Sequence, residues 1–437
     1  MRRRLNSSYS VQLKLSVFVV NMIMAFPTVS EASNGYFAYG YGARSKGMAG
    51  AGSALPQDAI AAAVNPAGMV FVGNRLDLEL EAFSPQREYS VSGTPTLAAG
   101  AFPLNNGTVK SGSNFFAIPT IGWNYKIDDD QSVGISIFGN GGMNTSYPDF
   151  YSRTCPVGGT GTFCAGTTGI DLEQAFISPS YAHSFANKQF ALGIAPIIAL
   201  QTFKAYGLSS FGAFSSNPSN LSDKGRDFSY GAGVRVGGLV ELLPSLHLGL
   251  SYKSRVFMSR FHDYAGLFAG QGSFDIPQSV NAGLAWEINN QFTTALDVEY
   301  INYSSIKAVG NSLLPNLQTA QLGNNQGAGF GWRDMTIVKL GTQWKQNENW
   351  TWRAGVSYGE QPIPKSQVLF NVLAPGVQEW HLTTGFSHAL TSKDDLSFAF
   401  MFSPTKSVSG ANPLSPSQTI DLKMYQFSFQ LAWSRQF

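Results

Sequence analysis

Charged side chains are few in this chain. Asp, Glu, Lys and Arg make up 13% of its 437 residues, roughly half the share of an ordinary soluble domain. There is no basic excess, with 29 Lys and Arg against 27 Asp and Glu, so nothing points to a nucleic-acid partner. Cysteine is limited to Cys155 and Cys164. The five histidines, His183, His247, His262, His381 and His388, are scattered, with no HExxH or His-x-His pattern. Two cysteines without nearby histidines make a poor zinc site. No phosphate-binding or dinucleotide glycine loop precedes a helix. An enzyme, a metal and a cofactor are therefore not expected. Past the N-terminal segment there is also no apolar run of the roughly 20 residues that a membrane helix needs.

Alternation is what the chain has instead. The last stretch reads Tyr425-Gln-Phe427-Ser-Phe429-Gln-Leu431-Ala-Trp433-Ser-Arg435-Gln-Phe437. A strand turns successive side chains to opposite faces, so one face here is fit for hydrocarbon and the other for a polar interior. Aromatics are 13% and Gly numbers 46, while mean hydropathy stays near zero. That combination is the mark of a transmembrane β-barrel, whose lipid face hides in alternation.

The pattern predicts about fourteen antiparallel strands, near 75–84, 115–127, 131–140, 170–185, 188–203, 226–243, 246–260, 273–287, 290–303, 332–345, 348–360, 378–390, 393–406 and 420–437. Tight polar turns fall at Asp128-Asp129-Asp130, Asn187-Lys188, Pro244-Ser245, Asn289-Asn290, Asn347-Glu348-Asn349 and near Thr391-Ser392. Long Gly/Ser/Asn/Pro-rich loops are expected near 85–114, 141–169, 204–225, 261–272, 304–331, 361–377 and 404–419. Short turns on one side and long loops on the other are the outer-membrane barrel arrangement, with the short side periplasmic. Charges keep to one parity. Leu76, Leu78, Leu80 and Ala82 oppose Asp77, Glu79 and Glu81, and Leu246, Leu248, Leu250 and Tyr252 oppose His247 and Lys253. A basic residue on the lipid face at mid-depth costs about 2–4 kcal/mol, which forces the charges inward.

Residues 1–32 read as an export signal. Arg2, Arg3, Arg4 and Lys14 precede an apolar stretch from Leu15 to Phe26, and Ser30-Glu31-Ala32 resembles a cleavage site. Cleavage there removes four basic residues and one acidic one, moving the net charge from +2 to −1. Residues 33–74 do not alternate. They are small and Gly-rich, with a short Ala-rich helix expected from Pro56 to Val64, opened by Pro and stopped by Asn65-Pro66. Such a segment is suited to folding into the lumen as a plug, and a flexible periplasmic tail is the other reading. The domains are then the signal peptide (1–32), the plug (33–74) and the barrel (75–437). Cys155 and Cys164 lie close together in a Gly/Thr-rich loop. In an exported protein a disulfide is the favoured pairing, two free thiols the alternative.

Asp58-Ala-Ile-Ala-Ala-Ala-Val64-Asn65-Pro66-Ala67-Gly68 resembles the N-terminal hatch motif of the FadL/TodX family, outer-membrane transporters of long-chain fatty acids and other hydrophobic compounds. Four more stretches are similar and in order. They are His247-Leu-Gly-Leu-Ser-Tyr252-Lys253-Ser254, Ile276-Pro277-Gln278 through Leu284, Trp332-Arg333-Asp334 with Trp352-Arg353-Ala354-Gly355, and Gln361-Pro362-Ile363-Pro364. In the last, Gln361 departs from the family's Ser. The resemblance implies a fourteen-stranded barrel closed by a hatch, with Asp58, Asn65, Pro66 and Ala67 holding the plug. It also implies a third strand kinked inward to leave a gap in the wall. Gly139, Asn140, Gly141 and Gly142 sit where that lateral opening belongs, although a plain Gly-rich strand end has the same composition.

Candidate ligand contacts are Tyr36, Phe37 and Phe138 in the lumen. In the loops they are Leu208, Phe211 and Phe214 at near-helical spacing, with Leu267 and Phe268. Apolar loop residues suit either a capture site or loop-on-loop packing. Lys253, Arg255, Lys339 and Arg353 are placed to meet a ligand carboxylate or to pair with Asp77, Glu79 or Glu81. The reading is passive outer-membrane uptake of hydrophobic small molecules, long-chain fatty acids or aromatic hydrocarbons, by loop capture, a lumen pocket and lateral exit. The expected partners are that ligand, outer-membrane lipid and lipopolysaccharide, and, through the terminal Phe437, the barrel-assembly machinery; a monomer is expected. An adhesin barrel whose loops bind a host surface or phage, and a polar porin, are the alternatives.

Overall fold

The computed structural model describes residues 33–98 and 100–437. The expected signal peptide lies outside the described residues. The first eight strands are β1 Arg75–Gly93, β2 Gly107–Lys110, β3 Phe116–Lys126, β4 Gln131–Tyr147, β5 Thr168–Phe185, β6 Phe190–Tyr206, β7 Asp227–Leu243 and β8 Leu246–Lys253. The remaining eight are β9 Phe257–Met258, β10 Ser279–Glu287, β11 Phe292–Ile301, β12 Met335–Lys345, β13 Trp350–Gly359, β14 Trp380–Ala389, β15 Asp394–Asn412 and β16 Ser415–Gln436. Apart from the short ribbons β2 and β9, fourteen strands form one antiparallel wall, and β1 pairs with β16 from Arg75↔Gln436 to Gly93↔Gln418. That pairing closes the cylinder, so neither the first nor the last strand is left as a free sheet edge.

The outer face is built for hydrocarbon. Leu80, Ile198, Leu250, Leu284, Leu296, Leu340 and Leu382 all point outward and are exposed. Tyr125, Trp286, Phe292, Trp344 and Trp352 ring the short-turn end, and Tyr230, Tyr252, Tyr300, Tyr358 and Trp380 the other. An apolar band between two aromatic girdles is the surface a membrane interface selects. The opposite parity is buried, including Asp77, Glu79, Glu81, Lys253, Lys339 and Met401.

Four of the short turns share one device. A side-chain oxygen at the turn's start accepts the backbone N–H groups two and three residues on. Asp128 accepts from Asp130 and Gln131, Asn289 from Gln291 and Phe292, Asn347 from Asn349 and Trp350, and Thr391 from Lys393 and Asp394. This is the local chemistry that makes Asp, Asn and Thr turn formers.

The structure corrects several sequence-based boundaries. The segment 404–419 is not a loop: β15 and β16 run through it and reverse at Pro413-Leu414. The loop expected from 85 begins nine residues later, because β1 continues through Pro85 to Gly93. Pro85 lies beyond Phe83↔Phe116, the last β1–β3 pair, and before the β2 ribbon that pairs at Glu88. Its missing N–H thus falls where β1 has a partner strand on one side only, a place a strand tolerates proline. The strand expected over 246–260 ends at Lys253, and that expected from 273 starts at Ser279. Residues Gly141 and Gly142 lie inside β4, not in the loop after it.

Candidate functional site

Residues 33–74 fill the lumen toward the short-turn end. The expected Ala-rich helix shrinks to the 3-10 turn Ala61–Ala63. Pro66 does more than stop it, since it stands at the start of a second 3-10 turn, Pro66–Phe71, capped by Asn65. The Asn65 side chain accepts from Ala67 N and donates to Ser53 O and to Gly238 O on β7. One amide thereby fastens two parts of the segment to each other and to the wall. The wall yields space by lacking side chains. Cβ atoms placed on Gly237 and Gly249 would lie 2.0 Å from Asn65 Oδ1 and 2.1 Å from Ser53 O. Gly193, Gly341 and Gly355 face Pro66 and Met48 in the same way.

Polar partners come from around the cylinder. Asp297 on β11 accepts from Gly52 N and Ser53 N at 3.0 and 2.9 Å. Arg235 on β7 donates to the carbonyls of Ala63 and Val64. Thr383 on β14 accepts from Ala49 N at 2.9 Å. Lys46 pairs with Glu81 at 2.5 Å, and Arg44 with Asp395 at 2.7 Å. A segment bonded to β1, β7, β11, β14 and β15 is a plug. Asp58 lies within it, buried, accepting from Ile60 N.

At its N-terminal end the plug is paired to the wall at a defect. β3 and β4 pair only from Lys126↔Ser132 to Ile121↔Ile137. Beyond that point β4 leaves β3. Its register against β5 shifts between Gly139 and Gly141, so Asn140 is an extra residue, a bulge. Phe37 and Gly141 form an isolated antiparallel bridge, Ala38 N donates to Asn140 O, and Gly142 N to Tyr36 O. Asn140 also donates to Gln174 and accepts from Tyr41.

Above the plug the loops meet over an apolar cavity. Phe203, Leu208, Phe211, Leu267, Phe268, Phe330, Phe370 and Leu373 line it. Its free volume is about 40 Å³, room for water but not for an alkyl chain, so occupation requires side chains to move aside. A chain of ring contacts leads down from it. Phe268 packs on Phe274 at 5.0 Å, Phe274 on Tyr36 at 6.0 Å, and Tyr36 on Phe37 at 5.2 Å. Lys253 Nζ sits 4.0 Å from the Phe37 ring and 5.5 Å from that of Phe176, which meets Phe138 at 5.7 Å beside the bulge.

A family model described as outer membrane protein transport protein (OMPP1/FadL/TodX) matches residues 24–430. The chain belongs to the FadL/TodX family. It is therefore an outer-membrane β-barrel of Gram-negative bacteria and a transporter of hydrophobic compounds, not an enzyme. The long-chain fatty acid transport protein of Escherichia coli K12 is 22% identical over 355 residues, 68% of this chain and 75% of that protein. The crystal structure of a Pseudomonas aeruginosa FadL homologue superposes with a TM-score of 0.66 at 16% identity, covering 92% of this chain and all of that one. The Pseudomonas putida toluene transporter TodX gives 0.65 at 18% identity, covering 91% of this chain and 99% of its own.

Within this FadL/TodX barrel the sequence-selected residues separate into three groups. Leu208, Phe211, Leu267 and Phe268 converge on the apolar cavity, Leu208 and Phe211 from the 3-10 turn Ser209–Phe214 and its cap. Phe214 packs at the margin and does not line it. Tyr36, Phe37 and Phe138 lie along the ring chain below. Arg353 is elsewhere, near the short-turn end, bonded to Gln57 and Ser387. Of the other lumen bases, Lys339 pairs with Glu299 and Arg255 with Asp275, and neither uses Asp77, Glu79 or Glu81. Those acids take nearer partners: Arg75 for Asp77, Ala43 N and Gln430 for Glu79, and Lys46 for Glu81. Cys155 and Cys164 are bonded as a disulfide in the loop between β4 and β5. Sequence reasoning missed Phe330, Phe370 and Leu373. For Phe370 and Leu373 the signal was present in Val368-Leu-Phe-Asn-Val-Leu373, an apolar run inside an expected loop.

Proposed function

We propose that this barrel takes up hydrophobic small molecules passively, long-chain fatty acids or aromatic hydrocarbons, through loop capture, the ring chain and a lateral exit beside β4. The plug fills the short-turn end, so a straight path into the periplasm is blocked. The relatives named for long-chain fatty acid and for toluene transport support the ligand class. The observation that carries the route is the end of the β3–β4 ladder at Ile121↔Ile137, with the bulged Gly139–Gly142 stretch beside it. Removing apolar ligand surface from water contributes about 25 cal/mol per Å², and release into lipid keeps that gain without a bound energy source.

The test is uptake in a strain lacking its own transporter, with labelled oleate and labelled toluene given separately. Deleting Asn140 removes the bulge and restores the register of β4. The expected result is a folded barrel that no longer takes up ligand. Unchanged uptake in that variant overturns the lateral route.

A further inference from the structure

The apolar cavity admits a ligand only when one of its walls moves, since its free volume is about 40 Å³. Most of the wall is held firmly. Phe203 belongs to β6, and the segment with Phe370 and Leu373 is tied to β4 through Tyr147 Oη on Val372 O and Thr145 Oγ1 on Leu373 O. The Ser209–Phe214 turn, which with its cap supplies Phe211 and Leu208, is a short 3-10 element without a side-chain cap. Much of its support comes from behind. Ser210 Oγ donates to Phe163 O at 2.6 Å. The Phe163 ring meets Phe211 edge-on at 5.2 Å, and Phe102 stacks on Phe211 at 4.6 Å. Phe163 is fully buried in this contact, so the turn moves only if Phe163 does.

Phe163 is in turn set by the disulfide. Cys164 follows it directly and is bonded to Cys155, nine residues back. Cys164 stands at φ 61°, a left-handed conformation uncommon for residues other than glycine. The ring closes tightly, and a Cβ on Gly159 would lie 3.2 Å from Cys155 Cβ and 3.3 Å from Cys164 Cβ. Its far side meets solvent: Pro156, Val157 and Gly158 are exposed, and both cysteines are half-buried. An accessible bridge is one that a thiolate can attack. A reactive bond at the surface is thus joined, through one residue, to the bolt of a closed cavity.

We propose that Cys155–Cys164 is a reducible latch on ligand entry. While closed, it fixes Phe163 behind the Ser209–Phe214 turn and keeps the cavity shut. A small thiol or dithiol outside the cell opens it. The attacking thiolate forms a mixed disulfide with one cysteine, and a second thiol of the reagent displaces that cysteine. The reagent leaves as a disulfide, its two sulfurs having supplied two electrons, and Cys155 and Cys164 each take up a proton. Cys164 then relaxes, Phe163 withdraws and the turn swings free. This rests on the loop-capture reading above and adds a control to it.

The test compares the whole barrel, oxidised and after brief treatment with dithiothreitol. In lipid nanodiscs, hydrogen exchange at residues 208–214 is expected to rise at least about tenfold on reduction, with β10–β14 unchanged. In a strain lacking its own transporter, initial uptake of labelled oleate or labelled toluene at low concentration is expected to rise at least about threefold. The double variant Cys155→Ser, Cys164→Ser should match reduced wild type and ignore dithiothreitol, and Phe163→Ala should be fast before reduction. Heat-modifiable migration on gels shows that each form is folded. Reduction that loosens only residues 155–164, unfolds the barrel, or leaves uptake unchanged in a barrel that does transport overturns the latch. A double variant that still responds to dithiothreitol overturns it too. Loosening of residues 208–214 in a barrel that takes up neither ligand in either state overturns the capture reading, on which the latch depends.

Discussion

Phe37 of the plug and Gly141 of β4 are paired backbone to backbone, at the point where the wall gives up its own pairing. The bridge depends on glycine. A Cβ on Gly141 would lie 1.8 Å from Tyr36 O. Gly141→Val is therefore expected to break the bridge and release residues 33–42 without unfolding the cylinder. Hydrogen exchange should rise in that segment and stay unchanged in β10–β14. Uptake should fall at least about tenfold. Unaltered exchange at Tyr36 to Ala38 would show that the bridge does not hold the segment.

Asn65 joins a helix cap to two carbonyl contacts. Asn65→Ala loses the cap, worth about 0.5–2 kcal/mol, and leaves Ser53 O and Gly238 O without their amide donor. The plug, not the barrel, should suffer. The readout is ion conductance in planar bilayers, which should rise in Asn65→Ala while heat-modifiable migration is retained. A tight, non-conducting variant would place the plug's stability elsewhere.

Asp58 gives the plug a pH dependence. Burial, and next the Asp77 carboxylate, push its carboxyl up from 3.8 to about 6, against the pull of Arg44 and Arg75. The native form thus holds a proton that the unfolded chain has released. The stability from this group is complete below about pH 4 and is lost as pH rises toward 6. Exchange protection over residues 52–70, corrected for intrinsic rates, should be higher at pH 5 than at pH 7.5. Asp58→Asn should flatten that difference. A variant with the wild-type pH profile would assign the effect to another group.

Phe268 links the apolar cavity to the ring chain. A ligand entering the cavity would cover part of this ring, at about 25 cal/mol per Å² of apolar contact, so Phe268→Ala should weaken ligand binding several-fold. Transport should slow at low ligand concentration and recover at high. A variant with wild-type uptake at low ligand concentration would remove Phe268 from the path.

Leu80 is 57% exposed on the outer face at mid-strand. Leu80→Arg should cost about 2–4 kcal/mol in reversible unfolding from lipid, and Leu80→Ala far less. Equal costs for the two would contradict a hydrocarbon environment at that depth.

Much of this architecture was legible because lipid leaves little choice. The parity of Leu78 against Asp77, or of Tyr252 against Lys253, is forced wherever one face meets hydrocarbon. The turns were legible because Asp128, Asn289, Asn347 and Thr391 close them locally. Legibility failed where that constraint lapses. Residues 404–412 and 415–419 belong to strands, yet their Pro, Ser and Gly content reads as loop, and β15 slips register between Ser403 and Lys406. The segment carrying Phe370 and Leu373 packs across loops, and no local period reports such contacts.

The bare backbone at Gly193, Gly237, Gly249, Gly341 and Gly355 ties two distant stretches of gene together. A bulkier plug residue has no room unless the strand opposite stays at glycine, and a side chain restored on the strand collides with the plug. Variation at these places must therefore arrive in matched pairs, and a plug borrowed from a distant relative will seat only if it brings its own strands with it.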